Sequence, residues 1–225
     1  GMMVKNSNSN IDNMIVNGNI AEWSGGGIFI QESSSFINNI IITNNTADTH
    51  AGGIQCNIDC NMIMENGLIE GNYAVTSGGG IKLAQNSNAI ISYVNIVNNV
   101  TDGLGGGISC YGSKPILYNV TIMNNTADTT VTNGGGGISI TSNGEEFISR
   151  PILINTIIWD NSIAQIAFAN ISSEIVIAYS DLQGSNDIYN SYGIGGPVNV
   201  NEIHWLEGNI DIDPLFTDSE NGDYK

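Results

Sequence analysis

Short runs of alternating apolar and polar residues recur along this chain at intervals of about 27 residues. Apolar residues at positions i and i+2, with variable residues between them, are typical of a half-buried β-strand. One landmark is a glycine cluster followed by isoleucine, which recurs at Ile28, Ile54, Ile81, Ile108 and Ile138. A second landmark is an asparagine with the same step, at Asn19, Asn45, Asn72, Asn99, Asn125 and Asn161. Two landmarks that keep one phase indicate an internal repeat, in which each repeat forms one coil of a solenoid.

Each coil is predicted to contain three short strands. The first follows the glycines, the second holds Ile37 and the third holds Ile42. The turn between the second and third strands carries another asparagine column, with Asn13, Asn39, Asn66, Asn119 and Asn155 as its members. Stacked coils place equivalent residues about 4.8 Å apart, so both asparagine columns are expected to be structural ladders. Because hexapeptide periodicity is absent, the sequence predicts an all-β, right-handed parallel β-helix of about seven coils.

The repeat also suggests how the chain is organised. Residues 1–184 are predicted to form the coils, with a truncated first coil, and residues 185–225 an irregular C-terminal segment that caps the open end. Insertions at 129–133 and 143–150 lengthen two loops. Gly1 before Met2 resembles an expression scar, and we expect the chain to be a fragment of a longer protein.

The charge balance limits the partners that this chain can have. It contains 5 basic and 22 acidic residues, a formal net charge of −17. Nucleic-acid binding needs lysine and arginine to neutralise phosphates, so that function is excluded, and an anionic membrane surface is disfavoured for the same reason. No long apolar run is present, so we expect no membrane insertion by this segment, and we expect a monomer.

The three cysteines do not suggest a metal site. Cys56 and Cys110 occupy equivalent positions two coils apart, a separation of about 9.6 Å, and a disulfide needs Cα atoms within about 7 Å. We therefore expect that this pair does not bridge and that both are small buried apolar residues. Cys60 leaves the count odd.

The columns resemble the parallel β-helix repeat of secreted bacterial surface proteins. The segment IITNNTADTHAGGI at residues 41–54 is similar to the GGAI and FxxN repeats of chlamydial polymorphic outer membrane proteins, and residues 36–39 fit FxxN. This chain has glycine where that family has alanine. Residues 178–224 resemble the closing segment of large secreted β-helix proteins. The resemblance implies a pectate-lyase-like helix and export to the cell surface or medium, but no defined activity.

The outward positions of the first strand are the candidate ligand-binding face. They are Phe29, Gln55, Lys82, Ser109 and Ser139, with Tyr111 further towards the turn. On pectate-lyase-like enzymes, which this chain resembles, the substrate groove lies near the equivalent face. Polar side chains and two aromatic rings could hold a carbohydrate, although a merely solvated strand face explains the same pattern.

Three acidic residues are candidates for a calcium site. Asp48, Asp102 and Asp128 follow the first asparagine column by three residues, and the last two lie on adjacent coils. Calcium favours such oxygen-rich loops, but an aspartate there can equally cap its own turn. The sequence indicates no required cofactor, and Ca²⁺ is the one cation that these carboxylates suggest.

Catalysis has weak support in the sequence. A glycosidase needs two carboxylates facing one cleft, and no strand column supplies such a pair. His50 and His204 are far apart in sequence and are expected to be incidental. The favoured hypothesis is therefore an exported, non-enzymatic module for adhesion or for binding carbohydrate or a surface protein. The alternative is a pectate-lyase-like carbohydrate-active enzyme whose site is built by the loops at 129–133 and 143–150, and whose activity would be lost on substitution of Lys82 or Arg150.

Overall fold

The computed structural model describes residues 1–128, 134–142, 144, 146–169, 173–184, 194–195 and 202–216. Within these residues the chain is an all-β parallel solenoid of about seven turns with three parallel sheets, which confirms the predicted fold. The loop predicted at 129–133, two residues of the loop at 143–150 and most of the predicted cap lie outside the described residues.

Sheet one contains the strands that follow the glycine clusters. Its members are β1 (Met2–Lys5), β4 (Ile28–Gln31), β7 (Ile54–Asn57), β10 (Ile81–Ala84), β13 (Ile108–Tyr111), β17 (Ile138–Thr141), β20 (Ile166–Phe168) and β23 (Ile194–Gly195). The register aligns Ile54 with Ile81 and Ile81 with Ile108, as the repeat predicts. These isoleucines are fully buried, so the inward column is the core of the solenoid.

Sheet two contains both of the remaining predicted strands. Its members are β2 (Asn10–Asn17), β5 (Phe36–Thr43), β8 (Ile63–Glu70), β11 (Ile90–Val97), β14 (Ile116–Tyr118), β15 (Thr121–Met123), β18 (Ile152–Ile154), β19 (Ile157–Trp159), β21 (Glu174–Ala178), β22 (Asp181–Leu182) and β24 (Glu202–Trp205). In the early coils Ile37 and Ile42 lie on one eight-residue strand, so the prediction of two separate strands is wrong there. Asn39, between them, has a φ of 50°, a left-handed bend that asparagine adopts at low cost.

Sheet three was not predicted. It consists of the two-residue strands β3 (Ile20–Ala21), β6 (Thr46–Ala47), β9 (Tyr73–Ala74), β12 (Val100–Thr101) and β16 (Thr126–Ala127). Each follows a residue of the first asparagine column and precedes the segment that leads to the next glycine cluster. Sheet three therefore supplies the third side of the coil.

The first asparagine column forms a continuous buried ladder. The Nδ2 of Asn72 donates to Asn99 Oδ1 at 2.9 Å and to the Ile42 carbonyl at 2.9 Å, and its Oδ1 accepts from both nitrogens of Asn45. The side chains from Asn45 to Asn125 repeat this arrangement and are fully buried. Asn161 ends the ladder by donating to Gln165 Oε1 at 2.8 Å. Each amide thus satisfies polar groups that burial would otherwise leave without partners.

The second asparagine column lies at the surface and acts mainly through its backbone. Residues 13, 39, 66, 119 and 155 all have φ between 50° and 54°. Their side-chain contacts are irregular: Asn39 donates to Asn13, whereas Asn66 donates to Asn38 of the preceding coil. Asn155 donates to Asn119. The column therefore marks a bend more than a hydrogen-bond ladder.

Strand pairing continues past residue 184, where the repeat was predicted to end. Strand β24 pairs in parallel with β21, with Ile203 opposite Ile175. The bend column continues as well, through Tyr179 with a φ of 51° and Gly208 with a φ of 78°. Part of the segment predicted to be irregular therefore adds a further turn to the solenoid.

Cys56 and Cys60 form a disulfide, with Cα atoms 5.5 Å apart. This corrects the prediction that Cys56 is simply a small apolar residue, although it is fully buried as expected. Cys110 is a free, buried cysteine, and burial raises the pKa of its thiol to about 12. Cys56 and Cys110 do not bridge, as predicted.

Candidate functional site

The outward column of sheet one lies in register but is more buried than the sequence predicts. Phe29, Gln55 and Lys82 align on successive strands, followed by Ser109 and Ser139. Phe29 and Tyr111 are half-buried, whereas Lys82 is only 9% exposed and Gln55 and Ser109 are 4% exposed. Ser139 is fully buried. The column is therefore less exposed than a solvated strand face would be, and ligand binding on it stays a prediction.

The glycine turn before each strand explains this burial. Gly78 has a φ of +70°, and a Cβ at this position would lie 2.9 Å from the Cβ of Lys82. The backbone of the turn therefore packs directly against the outward side chain four residues later. Glycine adopts this left-handed conformation at the lowest cost, and Ala51 adopts it at the equivalent position before Gln55, with a φ of 56°.

A groove of about 510 Å³ lies over the centre of the column. We call this groove the Lys82 pocket. Its lining includes the side chains of Phe29, His50, Gln55, Asn57, Lys82 and Tyr111. Ser109 and Ser139 belong to the same column but do not line the groove. The strands thus bring together four of the six predicted ligand-binding residues.

Lys82 is held at the floor of the pocket by a short polar chain. Its Nζ donates to Ser77 Oγ at 3.0 Å, and Ser77 Oγ lies 3.1 Å from His50 Nδ1. Because an ammonium group can only donate, Ser77 accepts from Lys82 and its own hydrogen is free to point to His50 Nδ1. This arrangement favours the histidine tautomer that carries its proton on Nε2. The Lys82 Nζ also lies 5.9 Å from the centroid of the Tyr111 ring, within cation–π distance.

Burial changes the protonation of both basic groups. It lowers the pKa of Lys82 from 10.5 to about 8. Burial, together with the nearby charge of Lys82, lowers the pKa of His50 from 6.5 to about 4. At neutral pH the pocket therefore holds one lysine that is still mostly protonated and one neutral histidine.

His50 and Ser77 were missed by the sequence reasoning, which treated His50 as incidental. Both lie four residues before an isoleucine of the first landmark, as do Ser24 and Leu104. The structure pairs these four positions through backbone bridges. Extending the repeat alignment upstream of the glycines would have placed His50 beside the outward column.

A family model described as "Right handed beta helix region" matches residues 1–182. The chain belongs to the right-handed β-helix family. No curated protein and no solved structure matches it significantly. Membership gives the handedness of the solenoid and supports the recognised repeat.

The aspartates predicted to bind calcium follow the sheet-three strands of this right-handed β-helix. Tyr73 lies between two of them, and its hydroxyl donates to Asp102 at 2.5 Å. This hydrogen bond, with burial and the charges of Asp102 and Asp48, raises the pKa of Tyr73 to about 12. The described residues contain no group of three or more acidic, histidine or cysteine side chains arranged around a metal position. Calcium binding by Asp48, Asp102 and Asp128 stays a prediction.

A second charged cluster of the β-helix lies at sheet two. The Nε of Arg150 lies 2.9 Å from Glu174 Oε2, and His204 Nε2 lies 3.4 Å from the same oxygen. Arg150, which the enzyme hypothesis used, does not line the Lys82 pocket. In the described part of the chain no helix is long and apolar enough to cross a membrane.

Proposed function

We propose that this β-helix is an exported, non-enzymatic, monomeric module of a surface or secreted protein that binds carbohydrate in the Lys82 pocket. The observation that carries the proposal is the pocket itself, which combines the rings of Phe29 and Tyr111 with polar side chains. Aromatic faces provide rigid apolar contact area, while amides and amines provide hydrogen bonds. The paired strands hold these groups in fixed positions, which lowers the entropy lost when a ligand binds.

The lining of the pocket favours binding over hydrolysis. None of the described residues that line it is an aspartate or a glutamate. Hydrolysis of a glycosidic bond by the usual route needs an acid and a second carboxylate on opposite sides of the bond. The pocket therefore offers contacts for a sugar without the pair of groups that would cleave it.

The disulfide supports export. Disulfides persist in oxidising compartments and are rare in the reducing cytosol. The bond between Cys56 and Cys60 lies in the coil that supplies Gln55 to the pocket. An extracellular carbohydrate is a natural ligand class for a protein stabilised in this way.

A glycan-binding assay tests the proposal. The protein is screened against immobilised neutral and acidic oligosaccharides, and each hit is measured by calorimetry. Phe29→Ala and Tyr111→Ala should each weaken binding about tenfold or more, because losing about 1.4 kcal/mol changes affinity tenfold. Tyr118→Ala is the matched control, since Tyr118 is exposed on sheet two. Absence of any hit, or equal losses in all three variants, would contradict carbohydrate binding in this pocket, and a protein hit alone would favour adhesion.

One observation favours the competing function, a polysaccharide lyase. The pKa of Lys82 lies near 8, so a fraction of the amine is unprotonated and able to abstract a proton at mildly alkaline pH. A lyase would release unsaturated products from acidic polysaccharides with or without added calcium. Release that disappears in Lys82→Ala, or in Arg150→Ala, would reverse the preference for a binding module.

A further inference from the structure

Lys82 is a buried cation without a counterion among the described residues. Glu174 of sheet two, which contacts Arg150 and His204, forms no ion pair with Lys82. Lys82 is only 9% exposed, yet burial alone accounts for its lowered pKa, and no carboxylate contributes. Lysine is almost never buried without a partner, because removing a charge from water is costly.

The ammonium group has unused hydrogen-bonding capacity. Of its three donors, one is directed to Ser77. The other two have no acceptor among the described residues, and the charge faces a groove lined by neutral side chains. Tyr111 offers the face of its ring, and the neutral His50, which carries its proton on Nε2, offers an N–H donor.

Gln55, on the strand next to Lys82, also has a polar atom without a partner. Its side chain is 4% exposed and its Oε1 is buried without a hydrogen-bond partner. Gln55 pairs in register with Lys82 on the neighbouring strand, and both line the same groove. A buried acceptor beside a buried unpaired cation leaves two polar groups unsatisfied at one place, which native structures avoid.

We propose that Lys82 binds an anionic group, a carboxylate or a sulfate, on the ligand of this pocket. The proposal rests on the proposed carbohydrate-binding function and names the charge class of its ligand. A lone lysine is a point charge without the planar fork of arginine, so it suits a single anionic group of either geometry. The ligand would complete the ion pair that the protein leaves open.

The net charge of −17 determines how salt should affect the binding of an anion in this pocket. Anions are repelled by the protein as a whole, and at physiological ionic strength this repulsion is screened beyond about 8 Å. Contact with Lys82 takes place in a recess and is screened much less. Raising the salt concentration from 20 to 150 mM should therefore not weaken binding, whereas attraction to an exposed basic surface would weaken.

The main experiment compares two ligands that differ only in charge. Calorimetry measures binding of a uronate tetrasaccharide and of the same tetrasaccharide with its carboxyl groups reduced to alcohols, and a sulfated tetrasaccharide identifies the preferred anion. The wild-type protein should bind an acidic form at least about tenfold more tightly, equivalent to about 1.4 kcal/mol. Lys82→Met should lose this preference and bind the acidic and neutral forms with affinities within about threefold of each other. Lys114→Met is the matched control, because Lys114 is exposed.

A second variant keeps Lys82 but makes its charge unavailable to a ligand. In Gln55→Glu the new carboxylate would lie on the strand adjacent to Lys82, in register, and supply an internal counterion. This variant should also lose the preference for the acidic tetrasaccharide. A preference that persists in both variants, or equal binding of acidic and neutral forms by the wild type, would overturn the proposal while leaving carbohydrate binding intact.

Direct titration of Lys82 separates the two proposals when no tetrasaccharide binds. The chain has four lysines, so the Cε signals of a lysine-labelled sample can be assigned by single substitutions. Sodium sulfate or acetate should raise the pKa of Lys82 by about one unit if an anion binds tenfold more tightly to the charged amine. A rise in the pKa of Lys82 without saccharide binding would support the anion site and refute the carbohydrate-binding function. No rise and no binding would refute both.

Discussion

Replacing Lys82 by methionine is expected to stabilise the protein. Methionine has a similar volume and carries no charge, so the core of the solenoid is not disturbed. The pKa of Lys82 falls from 10.5 in the unfolded chain to about 8 in the folded one. Each pKa unit corresponds to about 1.4 kcal/mol, so burial of the protonated amine destabilises the fold by about 3 kcal/mol.

The hydrogen bond from Lys82 to Ser77 offsets part of this gain, because methionine cannot donate. A typical hydrogen bond contributes about 1 kcal/mol, and Ser77 keeps its contact with His50. The net stabilisation at pH 7 should therefore be about 2 kcal/mol, or a rise in Tm of about 4–8 °C for a chain of this size. Lys114→Met should leave the Tm unchanged.

The pH dependence identifies the cause. The unfolded chain keeps the Lys82 proton up to pH 10.5, while the folded protein loses it near pH 8. Within this window the unfolded state binds more protons, so the stability of the wild type rises with pH relative to the variant. The advantage of the variant should shrink by about 1.4 kcal/mol per pH unit above 8 and vanish before pH 10.

Urea unfolding at pH 7, 8, 9 and 10 measures this difference, and groups common to both proteins cancel. A variant that is less stable than the wild type at pH 7 would refute the conclusion that Lys82 is an unpaired buried charge. So would a gain in stability that is the same at pH 7 and pH 10, because an uncharged packing effect does not titrate.

Three further outcomes follow from the asparagine columns and the cysteines. Asn72→Ala should lower the free energy of unfolding by about 3–5 kcal/mol in urea, because several buried polar groups lose a partner at once. At Asn119, where φ is 54°, replacement by glycine should leave the free energy of unfolding nearly unchanged, whereas replacement by valine should lower it by about 1–2 kcal/mol. Thiol titration of the denatured, unreduced chain should detect one thiol, that of Cys110, and reduction should release those of Cys56 and Cys60. A loss below 1 kcal/mol at 72, equal effects of glycine and valine at 119, or three thiols before reduction would contradict these expectations.

The repeat made the stacking of the coils predictable, because residues that recur with one period must lie above one another in a solenoid. The inward isoleucines and the buried asparagine ladder follow from that rule alone. Sheet three was not predicted because strands of two residues, such as Thr46–Ala47, are too short to show an alternation of apolar and polar residues. The bend at Asn39 was placed correctly, but hydrogen bonding carries on through it and joins two predicted strands into one sheet.

The disulfide could not be predicted from spacing. Residues four apart on an extended strand lie about 13 Å from one another. Cys56 and Cys60 approach because Ile58 and Asp59, between them, both adopt positive φ and turn the chain back. Non-glycine residues adopt this conformation rarely, so no sequence pattern indicated this turn.

The candidate site was only partly predictable from the sequence. Period-two alternation identified Phe29, Gln55 and Lys82 as one outward column, and the structure places all three in the pocket. Their burial depends on the path of the glycine turn, and the partnership of Lys82 with Ser77 and His50 depends on the segment that precedes this turn. Neither is encoded by alternation.

The inward and outward columns of sheet one differ in what the fold requires of them. The inward positions are nearly uniform, as at Ile81 and its neighbours, because each coil must pack on the next. The outward positions vary among Phe29, Gln55, Lys82 and the serines at 109 and 139, since nothing in the stacking of the solenoid requires a particular side chain there. Lys82 is the outward residue whose burial destabilises the fold, and it is also the one with an unused charge. A substitution that raises stability and abolishes the preference for an anion would therefore show that Lys82 is retained for its ligand and not for the fold.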